Sequence, residues 1–247
     1  MLTASEIAGW KSPPLVVATA YDFPHAVILE AAGADVILVG DSLANVVLGL
    51  PSTREVGMEE MAVFLSAVVR GAPETHVTVD LPYGSDATPE LAVQNGRRFM
   101  DLGATSVKLE GPKLAAIRAL VEVGIPVMGH LGVLPQTATS FRKVGTSEES
   151  HTQLMRDALS LQEAGVFSMV LENVEAKTAK EVTESLSVPT IGIGSGKATT
   201  GQVQVLQDLT GFSLKPPPFA RAFASVRDES VRGIKAYIDA VRGGQFP

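Results

Sequence analysis

The sequence predicts an α/β fold: a (β/α)8 barrel of the TIM type, built as a single domain over residues 1–247 with a short N-terminal helix. Three observations predict it. Eight short apolar runs recur along the chain, and each ends in polar residues. Longer stretches with apolar residues near three-to-four spacing fill the gaps. Several of these stretches stop at a glycine, as helices do when the residue past the last turn is left-handed.

Taken in order, Thr3 to Trp10 reads as a short helix closing the barrel bottom. The first strand is Leu15 to Ala20, followed by Tyr21-Asp22, and the second is Val36 to Gly40, followed by Asp41-Ser42. Val77 to Val79 ends at Asp80, Val107 to Leu109 at Glu110, and Val127 to Gly129 at His130. Met169 to Leu171 ends at Glu172-Asn173, Thr190 to Ile193 runs into Gly194-Ser195-Gly196, and a weaker run from Val203 to Leu206 leads to Asp208. Continuous rather than alternating apolar character suits parallel strands covered on both faces. Helices are expected over Met58 to Val69, Thr88 to Leu102, Lys113 to Val123, Thr152 to Ala164, Lys177 to Leu186 and Asp228 to Val241. Gly33, Gly103, Gly124 and Gly165 mark helix ends. An open doubly wound sheet would want a glycine-rich nucleotide loop after strand one, where Tyr21-Asp22-Phe23-Pro24 stands instead. Lys215-Pro216-Pro217-Pro218 reads as a stiff connection rather than a boundary.

The charge balance, 20 Lys and Arg against 27 Asp and Glu, gives −7 with histidines neutral and argues against nucleic acid or an anionic membrane as partner. The absence of cysteine excludes a disulfide framework, a thiolate metal site and a cysteine nucleophile. Met1-Leu2-Thr3-Ala4-Ser5-Glu6 lacks the basic-then-apolar pattern of a secretory signal, so a cytoplasmic enzyme is expected. The uncharged window from Val123 to Phe141 holds Pro126, Pro135 and three glycines, which is not the composition of a membrane span. A mean hydropathy above zero suggests buried subunit faces, hence a homo-oligomer.

In such a barrel the C-terminal strand ends form the active-site mouth. Asp41, Asp80 and Glu110 follow strands two, three and four and therefore converge. Three neighbouring carboxylates in a partly buried mouth need a cation to offset their repulsion, and oxygen-only ligands with room for water or substrate favour Mg²⁺. Lys108, two residues before Glu110, points to the same side and suits either a substrate carboxylate or an ion pair with a neighbouring acid. His130 can contact substrate or satisfy hydrogen bonds of the core. Glu172, across the barrel with no lysine near it in sequence, suits a proton-transfer base. Gly194-Ser195-Gly196 reads as a tight turn or as an anion-binding one.

At these residues the sequence resembles the ketopantoate hydroxymethyltransferase family, of the phosphoenolpyruvate/pyruvate barrel superfamily. The motifs are Thr19-Ala20-Tyr21-Asp22, Val39-Gly40-Asp41-Ser42-Leu43, Asp80-Leu81-Pro82-Tyr83-Gly84-Ser85, Val107-Lys108-Leu109-Glu110-Gly111, Gly129-His130-Leu131-Gly132 with Pro135-Gln136, Val170-Leu171-Glu172 and Ile191-Gly192-Ile193-Gly194. The resemblance implies Asp41, Asp80 and Glu110 as magnesium ligands, and Asp41, Ser42, Asp80, Lys108 and His130 as substrate-binding residues. It implies Glu172 as proton acceptor. The implied reaction is Mg²⁺-dependent transfer of a hydroxymethyl group from 5,10-methylenetetrahydrofolate, as co-substrate, to 3-methyl-2-oxobutanoate. The product is 2-dehydropantoate, on the route to pantothenate and coenzyme A. The implied partners are small molecules, a 2-oxo acid and a folate, and the implied assembly is a decamer.

Departures from the family pattern lie away from those positions. Ala44 stands where the family has glycine, and Thr139-Ser140-Phe141-Arg142-Lys143-Val144-Gly145-Thr146 replaces a glycine- and tyrosine-containing loop. Ser195 replaces alanine and Thr200 replaces aspartate. They motivate a second reading, a paralogue making or breaking a C–C bond on a different 2-oxo acid, with or without folate. A third reading is a non-catalytic metabolite-binding scaffold.

Overall fold

The computed structural model describes residues 1–246. Two compact units make it up, Met1–Val203 and the segment from Gln204 onward. Among the described residues the strands are β1 (Leu15–Thr19), β2 (Val36–Val39), β3 (His76–Asp80), β4 (Ser106–Lys108), β5 (Val127–Gly132), β6 (Ser168–Glu172), β7 (Thr190–Ile193) and β8 (Gly201–Gln204). They close in sequence order into one parallel barrel, as expected. The helices of the first unit are α1 (Ala4–Ala8), α2 (Phe23–Ala32), α3 (Leu43–Val46), α4 (Met58–Gly71), α5 (Pro89–Asp101), α6 (Leu114–Glu122), α7 (Glu148–Glu163) and α8 (Ala176–Ser185). The second unit carries α9 (Leu206–Leu209) and α10 (Val226–Arg242).

The helix starts follow local chemistry. Asp22, Thr88 and Ser147 each cap an N-terminus through a side-chain oxygen, with Pro24 and Pro89 in the first turns after Asp22 and Thr88. The cap at Ser147 starts α7 at Glu148, ahead of the expected Thr152. Thr3 and Glu6 form a reciprocal capping box that holds even the five-residue α1. Its Ile7 enters the apolar cluster of the barrel with Leu15, Val17, Val36, Met128, Val170 and Ile191, so the N-terminal helix does plug the barrel. All four glycines read as helix ends take positive φ.

Three differences from the sequence reading have local causes. Strand eight is Gly201–Gln204 rather than Val203 to Leu206. Glycine is needed there because a Cβ at 201 would lie 2.6 Å from the Leu15 carbonyl oxygen, and Leu206 opens α9 instead. Strand five runs to Gly132, so His130 lies inside it rather than beyond its end. The segment between β2 and α4 folds into α3 and a short 3₁₀ turn, Thr53–Glu55, which no apolar periodicity announced.

In the second unit the division falls after Val203, not at the Lys215–Pro218 stretch. Gln204 Nε2 donates to the Arg221 carbonyl at 2.6 Å and Phe223 N–H to that of Leu209 at 2.8 Å. Among the described residues no helix is long and apolar enough to cross a membrane.

Candidate active site

Parallel pairing brings the polar strand ends to one mouth. The β3–β4 register sets Asp80 opposite Lys108, and these side chains meet at 2.5 Å between Lys108 Nζ and Asp80 Oδ1. Both are almost fully buried. Burial alone would lower the Lys108 ammonium, but the charges of Asp80, Glu110 and Asp41 outweigh it and hold it above the usual lysine range. Asp80 also accepts the backbone N–H of Asp41 on Oδ2 at 3.0 Å. Of the two roles open to Lys108, the ion pair with an acid is therefore formed, and two of its three ammonium protons stay available for a ligand.

Asp41 follows β2 and is buried. Burial, then the charge of Asp80, push its carboxyl up to about 8, with Glu110 adding to the rise and Lys108 opposing it. Glu110, two residues past β4, is also raised, by burial first, against the opposing influence of His130 and Lys108. Ser42 accompanies Asp41, its hydroxyl 2.8 Å from that of the buried Tyr21. The His130 ring lies between two acids, Nδ1 at 3.6 Å from Glu110 Oε1 and Nε2 at 3.3 Å from Glu172 Oε2. Neither approach is aligned as a hydrogen bond, so both ring nitrogens are buried without a partner. That favours neither reading of His130 over the other as the structure stands. Glu172 ends β6 and keeps 19% of its side chain exposed. Its backbone is held by close approach: at Gly132, φ +99°, a Cβ would lie 2.1 Å from the Glu172 carbonyl oxygen.

The seven predicted residues thus lie at the mouth, linked as Lys108–Asp80–Asp41 on one side and Glu110–His130–Glu172 on the other. As they stand, no three His, Cys, Asp or Glu side chains among the described residues are arranged to hold a metal ion. The donor chemistry nevertheless fits a hard divalent cation. Asp41, Asp80 and Glu110 carry three negative charges when ionised and Lys108 one positive charge, which leaves the cluster two positive charges short. Burial first and the Asp80 charge next raise the Asp41 carboxyl, and a cation beside it would oppose both.

A pH dependence follows. The folded value of Asp41 lies above its unfolded one, so the native chain binds more protons between about pH 4 and 8. The stability this group contributes is complete below the unfolded value and is lost as pH rises through about 8. In chelator, the melting temperature of the wild type relative to Asp41→Asn is expected to fall over that range, and Mg²⁺ is expected to reverse the fall. A difference that stays flat with pH contradicts the assignment.

Sequence reasoning missed Gln136, Tyr21 and Arg54. Gln136 Nε2 donates to Asp41 Oδ2 at 2.8 Å and to the Leu81 carbonyl at 3.0 Å, while its backbone N–H donates to Glu110 Oε2 at 3.0 Å. Arg54 Nε donates to the Gln136 carbonyl at 2.5 Å, with its guanidinium over the Tyr83 ring. Tyr21 and Gln136 stand inside motifs that carry the resemblance, Thr19-Ala20-Tyr21-Asp22 and Pro135-Gln136, but no spacing gives either a role. Ser195 settles the glycine turn: its Oγ accepts from Val174 N–H at 2.9 Å and donates to the Leu171 carbonyl at 2.7 Å, so it ties β6 to β7. The divergent loop is anchored beside Glu172. Asn173, in a left-handed conformation at φ +49°, donates to the Phe141 carbonyl at 2.9 Å, and Val144 pairs with Val174.

The chain is similar to known proteins in sequence and in fold. A family model described as ketopantoate hydroxymethyltransferase matches residues 2–247. A 3-methyl-2-oxobutanoate hydroxymethyltransferase of Ignicoccus hospitalis is 45% identical, covering 94% of this chain and 91% of the relative. One from Acaryochloris marina is 41% identical over 100% and 99%. Among solved structures, a phosphonopyruvate hydrolase in complex with oxalate and Mg²⁺ aligns at TM-score 0.68 and 12% identity, covering 98% of this chain and 88% of that one. A 2,3-dimethylmalate lyase aligns at TM-score 0.66 and 16% identity, covering 99% and 86%. At such identities these two share the fold.

Proposed function

The chain belongs to the ketopantoate hydroxymethyltransferase family, and we propose that it transfers a hydroxymethyl group from 5,10-methylenetetrahydrofolate to 3-methyl-2-oxobutanoate, giving 2-dehydropantoate. The relatives named above carry that reaction in their names, at 45% and 41% identity over nearly their whole length. The observation that carries the reading onto this chain is the mouth itself, where buried Asp41, Asp80 and Glu110 surround a single lysine. The departures in the 139–146 loop leave those residues untouched and give no ground for a different reaction or a scaffold.

In this reading Asp41, Asp80 and Glu110 would hold Mg²⁺, which when bound would polarise the 2-oxo group and acidify C3. Ser42, with its hydroxyl fixed by Tyr21, and Lys108 hold the carboxylate end of the oxo acid. Glu172 takes the proton from C3. The Lys108 ammonium, kept protonated by its acidic neighbours, offsets the negative charge that develops on the substrate oxygen. The C3 carbon then bonds to the methylene carbon of the folate as one of its C–N bonds breaks, water replaces the second C–N bond with a hydroxyl group, and the two nitrogens take up the proton from C3 and one from water as tetrahydrofolate leaves. His130, whose ring nitrogens make no hydrogen bond within the protein, contacts the oxo acid.

A cytoplasmic, self-associating enzyme is part of the proposal. Exposed Val231, Ile234, Tyr237 and Val241 along α10 support association between copies, and the family resemblance implies ten. The test supplies Mg²⁺, methylenetetrahydrofolate and a panel of branched and aromatic 2-oxo acids. Formation of 2-dehydropantoate from 3-methyl-2-oxobutanoate well above all others is expected, and a preference for another oxo acid, or turnover indifferent to folate, contradicts the proposal.

A further inference from the structure

Gln136 is the point at which the ends of three strands are tied together. Its side-chain amide spends both N–H groups, one on Asp41 Oδ2 beyond β2 and one on the Leu81 carbonyl beyond β3. Its backbone N–H holds Glu110 beyond β4. Its carbonyl is gripped in turn by Arg54. The residue is 1% exposed, and its Oε1 is a buried acceptor with no donor. A buried amide is costly unless its groups are satisfied. A residue needed only for packing would more cheaply be apolar. Here one side-chain N–H and the backbone N–H are spent on carboxylates, the other side-chain N–H goes to a carbonyl, and the acceptor is left for something the protein does not supply.

We propose that Gln136 is a positioning residue for the reaction: it fixes the orientation of Asp41 and Glu110 toward a divalent cation, and its Oε1 accepts from a water that arrives with that cation. The proposal rests on the reading of Asp41 and Glu110 as metal ligands. One oxygen of each acid is held at Gln136, Asp41 Oδ2 by the side-chain amide and Glu110 Oε2 by the backbone N–H, which leaves the other oxygen of each free of it. A partner that orients a ligand in this way is worth about 10- to 100-fold in metal affinity.

Mn²⁺ binding, followed by the spin-resonance signal of the free ion, tests this without turnover. Gln136→Met keeps the volume and removes both side-chain donors. It is expected to weaken Mn²⁺ binding about 10- to 100-fold, with kcat recovering toward wild type at saturating metal. A purely structural role would lower the melting temperature and leave the affinity alone. Wild-type protein that binds no Mn²⁺ overturns the metal reading itself. Wild-type protein that binds, beside a variant within twofold of it, overturns only the role of Gln136. Should Gln136→Met fail to fold, a crystal structure of the wild type with Mn²⁺ decides. The amide still on Asp41 with a water on Oε1 supports the proposal, and an amide turned away from Asp41 overturns it.

Discussion

Glu172→Gln is expected to lower product formation about 10²- to 10⁴-fold, the usual worth of a positioned general base, with little change in the KM of the oxo acid. The substitution keeps the size and shape of the side chain and replaces the carboxylate with a neutral amide that cannot accept the proton. The backbone at this position stays fixed, because Gly132 packs against the Glu172 carbonyl in a way no side chain at 132 would allow. The loss therefore reports on the carboxylate. It is checked by steady-state rates and, without folate, by exchange of the C3 hydrogen in D₂O. A variant that exchanges at the wild-type rate removes Glu172 from the role of base.

Lys108→Met should act on stability as well as on rate. Lys108 and Asp80 form a buried pair whose side chains are 6% and 4% exposed. Removing one partner of such a pair costs about 3–5 kcal/mol, because the other charge stays buried without compensation. Here Asp80 would also face Asp41 and Glu110 with no cation among them. Urea unfolding in chelator is expected to show that loss, and Mg²⁺ to recover part of it by supplying positive charge. Arginine is no conservative substitute, since its planar fork does not fit a point contact at 2.5 Å. A variant within about 1 kcal/mol of wild type in chelator would mean that the carboxylates do not press on one another as described.

The barrel was legible because its signal is repeated: each apolar run ends in a polar residue, and the parallel register then carries those residues to the same face. Asp80 and Lys108 were readable as neighbours on that ground alone. Strand eight was misplaced because glycine carries no apolar signal, yet Gly201 is the residue that lets β8 approach Leu15. Gln136 escaped for a different reason. Its importance comes from three bonds to residues 26, 55 and 95 positions away in sequence, and local spacing carries no trace of them. Whether Lys108 pairs with an acid or waits for a substrate was likewise undecidable from spacing, since both need the same residue in the same place.

The proposed reaction needs acids from separate strands to cooperate with a divalent ion in turning a keto acid into a carbon nucleophile. Nuclear magnetic resonance of 3-methyl-2-oxobutanoate in D₂O, with wild-type enzyme and no folate, follows that event alone. Deuterium is expected to enter C3 when Mg²⁺ is present and to stop entering when a chelator removes it. Exchange that continues unchanged in chelator, or a C3 hydrogen that never washes out at saturating Mg²⁺, would contradict it.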